Sequence, residues 1–135
     1  MNPTTPAIQQ LARRLIALES VRDASAVEAG SDVARVCEKL RMPLAKFAGV
    51  EGYRSLIARA LAIAKAGDPS LSRVQVGLDG SLDGFDEVAR QDAEAGIAVL
   101  VQFLVLLVTF IGESSTLGLI RDVWPHTLVE KSIRE

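Results

Sequence analysis

Fifteen consecutive residues, Ile97 to Ile111, constrain this chain more than any other feature: they are apolar throughout except for Gln102 and Thr109. As a helix the run is hydrophobic on every side, so it belongs either in lipid or at the centre of a protein core. Crossing ~30 Å of hydrocarbon takes about 20 apolar residues. The fifteen residues of this run, at a rise of ~1.5 Å each, cover only about 22 Å. Its flanks also disfavour a span, because Asp92 and Glu94 precede it, Glu113 follows, and no basic cluster sets an orientation. The run is expected to be the central helix of a bundle. A protein that exposes it to a membrane when triggered is the alternative.

A central helix needs neighbours with apolar stripes, and the preceding sequence supplies them. Thr5 and Pro6 form a helix start, a capping side chain followed by a residue that needs no N–H. Ile8, Leu11, Leu15 and Leu18 then recur at spacings of three and four, widened by Ala12 and Ile16. Arg13, Arg14 and Glu19 are expected away from the centre of that stripe, and the helix is expected to stop near Val21. Residues 22–30 carry no sustained period and read as a loop. Ser31-Asp32 offers a second cap, and Val33, Val36, Cys37 and Leu40 a second stripe. Pro43 is expected to end or kink that helix near Arg41. Gly49 marks another break, and a third helix runs from Val50 to Ala66 on Tyr53, Leu56, Ile57, Ala60, Leu61 and Ala64. Gly67-Asp68-Pro69 stops it.

Residues 70–85 change period. Val74, Val76 and Leu78 alternate with Gln75 and Gly77, and Asp79-Gly80 is a favoured tight turn, so a small β-hairpin is expected within 73–84. Helical preference returns at Asp86. After the apolar run, Leu117, Ile120 and Trp124 keep helical spacing, and either one helix continues to about Val123 or Ser114 caps a new one. The expected fold is therefore all-α or mostly α. Residues 1–135 form one domain of four to five helices packed around 97–111, with 126–135 a frayed tail.

Composition narrows the function. The chain has 135 residues, 49% of them apolar but only four Phe, one Trp and one Tyr, which suits one helical core. A net charge of −2 lacks the basic excess that non-specific nucleic-acid binding uses. One Cys excludes a disulfide framework and a thiolate cage, and one His excludes a multi-histidine metal centre. No signal peptide is recognisable at the start, so a cytoplasmic location is expected. Residues 1–66 carry 10 basic and six acidic side chains, and residues 67–135 carry five and 11. Such a dipolar layout can steer a partner without specifying one.

Each chemistry-bearing residue has a plain structural role to set against it. The segment Asp79-Gly-Ser81-Leu-Asp83-Gly84 matches positions 1, 3, 5 and 6 of a calcium loop, but Arg90 stands where the bidentate Glu belongs. A solvated turn is the better reading. Cys37 lies on an apolar stripe and reads as a small buried hydrophobe, and a Cys37–His126 dyad has no third member. Ser114 and Ser115 lack the glycine-flanked elbow of hydrolases. Glu113 is the most pointed residue. If the central helix continues through it, its carboxylate lies between apolar turns and needs a partner. Arg54 and Arg59, or Arg13 and Arg14, are the candidates. Glu113, Arg54 and Arg59 are therefore the expected buried charge or partner anchor. Arg35, Lys39, Arg41 and Lys46 make the middle of the chain basic, which solvated helix faces explain. No catalytic, cofactor or metal residue is assigned.

Three segments together resemble a group of small bacterial, mostly helical proteins with no activity attached: Val36-Cys-Glu-Lys-Leu-Arg41 with Phe47 to Leu56, Val74-Gln-Val76 with Asp79 to Gly84, and Leu107 to Glu113 with Arg121 to Pro125. The likeness covers most of residues 8–125. It implies a bacterial cytoplasmic protein and brings no site residues. The expected function is a non-enzymatic interaction protein (adaptor, regulatory or immunity-type) with a protein partner or a second copy of itself, with no nucleic acid and no cofactor. A pore former using 97–111 and a small-molecule-binding helical protein are the two alternatives.

Overall fold

The computed structural model describes residues 6–22 and 29–124. The Thr5 cap, most of the expected 22–30 loop and the tail from His126 lie outside them. The described residues form five α-helices, one short hairpin and a 3-10 turn: α1 (Pro6–Arg22), α2 (Ala29–Gly67), the 3-10 turn (Pro69–Arg73), β1 (Gln75–Val76), β2 (Leu82–Asp83), α3 (Phe85–Gln91), α4 (Ala93–Ile111) and α5 (Glu113–Val123). The fold is a mostly α bundle with a small antiparallel hairpin, in which Gln75 pairs with Asp83 and Val76 with Leu82.

α4 is the axis. It packs against α1, α2, α3 and α5, and Val99, Leu100, Phe103, Leu104 and Leu107 along it are buried. Among the described residues it is the one helix long and apolar enough to cross a membrane, with mean hydropathy 2.3. At 19 residues and ~1.5 Å per residue it extends about 28 Å. It is longer than the apolar run because Ala93 to Gly96 join it, so shortness no longer separates core from span. Its neighbours bury 56% of this apolar stretch, while Thr109 and Phe110 near its end face solvent.

Two helix boundaries differ from the sequence expectation, and the expected break at Gly49 is present. Ser31 and Asp32 do not start α2, which begins at Ala29. Pro43 lies inside α2 without ending it. The proline removes one backbone donor, but Leu40 and Leu44 on either side are fully buried, and their packing carries the helix across. The break comes at Gly49 (φ 82°, ψ 160°), a combination essentially restricted to glycine. It turns the second segment back over the first. Sixteen residues of unbroken helix would separate Cys37 from Tyr53 by about 24 Å, yet both line one cleft.

Gly112 repeats the device at φ 91°, ψ 158°, ending α4 before α5 begins at Glu113. The Thr116 hydroxyl donates to the Gly112 carbonyl at 2.8 Å. A further break, absent from the sequence expectation, falls at Asp92. Its extended backbone (φ −142°, ψ 94°) ends α3, and its carboxylate accepts from the Ala95 amide at 3.3 Å to open α4. One capping residue thus closes one helix and starts the next.

Candidate functional site

The residues expected as a buried charge are not brought together. Because Gly112 ends α4, Glu113 is an exposed first residue of α5, where the helix dipole favours a carboxylate. Arg59 is exposed, and half-buried Arg54 lies 3.8 Å from Glu51 on its own helix. No ion pair joins Glu113 to Arg54 or Arg59 among the described residues. Arg13 reaches Glu94 instead, at 3.3 Å on the surface.

The buried carboxylate is Glu19. It is 1% exposed, against the expectation that it would lie away from the α1 stripe. Its position explains this, since Leu11, Leu15 and Glu19 follow one another at i, i+4 spacing and share a face. The Trp124 indole Nε1 donates to Glu19 Oε2 at 2.8 Å. Lys39 Nζ lies 2.8 Å from the same oxygen, and Arg35 Nε lies 3.6 Å from Oε1. This cluster ties α1, α2 and the end of α5 together. It also accounts for part of the basic middle of the chain, where Arg41 pairs with Glu38 and Arg54 with Glu51. Arg35, Lys39, Arg41 and Arg54 thus answer nearby carboxylates, whereas Lys46 and Arg59 are exposed.

Cys37 is buried, and burial pushes its thiol up to about 12, which leaves almost no thiolate at neutral pH. His126, its expected partner, lies outside the described residues. In the Asp79–Glu87 segment the carboxylates are used locally. Asp79 Oδ1 accepts from the Ser81 amide at 3.0 Å, and Ser81's hydrogen bonds hold the Asp79 carboxyl below its ordinary value. Arg90 donates to Asp86 at 2.6 Å. No group of three or more His, Cys, Asp or Glu among the described residues is arranged to hold a metal ion.

Two surface features remain. One is a cleft of about 380 Å³ between α2, the hairpin and the start of α3. Ala34, Cys37 and Glu38 form one side, Ser81, Leu82 and Phe85 the other, and Tyr53 lies between them. Gly80 sits on the Tyr53 ring so closely that a Cβ there would meet Cδ2 and Cε2 at 2.6 Å. The Phe103 ring meets Tyr53 edge-on, with centroids 5.8 Å apart and an interplanar angle of 87°. The second feature is the corner at Gly49. Residues 46–51 are exposed without interruption, and Phe47 (59%), Val50 (49%) and, one turn earlier, Met42 (63%) present apolar side chains to solvent. Sequence periodicity placed Tyr53 in the core correctly, but the cleft above it depends on the sharp turn at Gly49.

No family model matches the chain, and no curated protein or solved structure matches it significantly. Residue roles therefore rest on this geometry.

Proposed function

We propose that this protein is a non-enzymatic interaction module that presents the Gly49 corner to a protein partner, in the manner of an adaptor or regulatory subunit. The observation that carries the reading is the uninterrupted exposure of residues 46–51 with Phe47 and Val50 among them. Single exposed apolar residues are ordinary on any protein surface. Here Phe47 and Val50 stand on either side of one turn whose backbone is set by a glycine-only conformation, with Met42 exposed farther back on the same helix. Lys46 and Glu51 flank them, giving the apolar centre and polar rim typical of a protein contact. An aromatic side chain on a rigid corner is the usual form of an interface anchor.

The test is site-specific photocrosslinking in cells of the source organism, with a benzophenone amino acid at Phe47, at Val50 or, as a control, at exposed Ser72. The reading expects one adduct of defined mass from positions 47 and 50, absent from position 72 and abolished at position 50 by Phe47→Glu. No adduct, or the same adduct from all three positions, would contradict it. Light scattering distinguishes the kind of partner, because self-association through the corner raises the mass above the 14.5 kDa of one chain and Phe47→Glu restores that value.

A further inference from the structure

We propose that the cleft between α2 and the hairpin is a binding site for a small uncharged ring compound carrying a carbonyl, with the Tyr53 hydroxyl as the donor that holds it. This site is separate from the Gly49 corner and does not rest on a role for that corner.

Three observations lead there. The first is an unused donor. Tyr53 is 2% exposed and lines the cleft, yet its hydroxyl makes no hydrogen bond to any described residue. The hydroxyl is not among the fully buried polar atoms that lack a hydrogen bond, so it meets water in the open cleft, and a ligand carbonyl would take that water's place. Burial also pushes the Tyr53 phenol above its ordinary titration range, so it stays protonated and donates.

The second observation selects against charge. The charged groups at the cleft each have an internal counterpart: Glu38 with Arg41, Asp86 with Arg90, and Arg35 with Glu19. A charged ligand would have to displace one of these pairings, whereas a neutral one leaves them intact. The apolar part of the lining, Ala34, Cys37, Leu82 and Phe85, is what a neutral ring would meet, beside the already paired Arg35, Glu38 and Asp86.

The third is preorganisation. Tyr53 is held from one side by Phe103 and from another by Gly80. The loop that brings Gly80 down is fixed by the Asp79–Ser81 hydrogen bond at 3.0 Å. A site already ordered loses little entropy on binding. Its volume, about 380 Å³, falls within the ~300–1,000 Å³ usual for small-molecule pockets and suits a mono- or bicyclic ligand.

Tyr53 is the only tyrosine in the chain, so ¹³C labelling of tyrosine gives one ring signal in the NMR spectrum. The full-length protein is titrated with nicotinamide and indole-3-carboxamide as neutral carbonyl probes, and with benzoate and benzylamine as charged ones. The expected result is a saturable shift of the Tyr53 signal and of the Gly80 and Ser81 amides with at least one neutral probe. The charged probes should bind about tenfold more weakly or less. Tyr53→Phe keeps the ring and its packing, and followed through the two amides it should weaken binding about fivefold. Ala34→Phe fills the cleft from its α2 side while leaving Tyr53 in place and should abolish binding, with unfolding curves confirming that both variants fold. No saturable shift with either neutral probe, equal binding of charged and neutral probes, or unchanged affinity in Tyr53→Phe would each overturn the proposal.

Discussion

Replacing Glu19 by alanine should remove much of what fixes α1 against α2 and the end of α5. In the native protein one Glu19 oxygen accepts from Trp124 Nε1 and lies near Lys39 Nζ, both at 2.8 Å, while Arg35 Nε stands 3.6 Å from the other. The cost of the substitution has two unequal parts. The indole N–H of Trp124, which is 1% exposed, loses its acceptor in a place water does not reach, worth about 1–3 kcal/mol. The two cations lose a counter-charge, but their side chains are 31% and 35% exposed, so they regain hydration and add only about 1 kcal/mol. Glu19→Ala should therefore cost about 2–4 kcal/mol, a large share of the ~5–15 kcal/mol that stabilises a domain of this kind. Glu19→Gln keeps an amide oxygen for the indole and should cost about 1–2 kcal/mol. Urea unfolding followed by circular dichroism measures both. Fluorescence reads the same cluster directly, since Trp124 is the only tryptophan, and its emission should shift to the red in the alanine variant. Costs below about 0.5 kcal/mol for both variants, or a glutamine variant no better than alanine, would refute the assignment of the indole bond as the main element.

Two further outcomes follow from the same geometry. A Cβ at Gly49 meets nothing within 4 Å, so Gly49→Ala isolates backbone strain at φ 82°, ψ 160° and should cost about 1–3 kcal/mol by urea titration, whereas a negligible cost would mean the corner relaxes freely. Burial raises the Cys37 thiol from 9.0 to about 12 and raises the Tyr53 phenol in the same direction. The unfolded chain therefore gives up these protons first. Stability from Cys37 should be intact below pH 9.0, fall as pH rises, and be lost at about 12. Denaturation midpoints across that range should decline, and Cys37→Ala should flatten the decline.

Much of the fold was legible because it rests on local signals strong enough to survive packing. The 97–111 run, the break at Gly49, the stop at Gly67-Asp68-Pro69 and the hairpin about Asp79-Gly80 all appear where their residues place them. The misplaced features are contests between a local preference and burial. Pro43 disfavours a helix, but Leu40 and Leu44 are both buried and the helix continues. Gly112 lies in a sequence without a clear turn pattern, yet it adopts a conformation few other residues reach. Asp92 carried a readable cap signal, followed by Ala93 and Glu94 in the first turn, that the apolar run beyond it overshadowed. Glu19 shares the stripe of Leu11 and Leu15, and only its charge argued against burial. Its partners Lys39 and Trp124 are 20 and 105 positions along the chain, so no local pattern announces them. The cleft was illegible for the same reason, since Tyr53, Gly80 and Phe85 meet only once Gly49 has turned α2 back on itself.

The enclosure of α4 separates a bundle that offers its corner to a partner from a protein that inserts its apolar helix into lipid. Hydrogen exchange resolved to individual peptides, with and without phosphatidylglycerol vesicles, measures it directly. The backbone amides of residues 99–107 should be the slowest to exchange in the whole chain without lipid, at rates that vesicles leave unchanged. Rapid exchange of those amides in buffer, or protection that arises only when vesicles are added, would contradict the account.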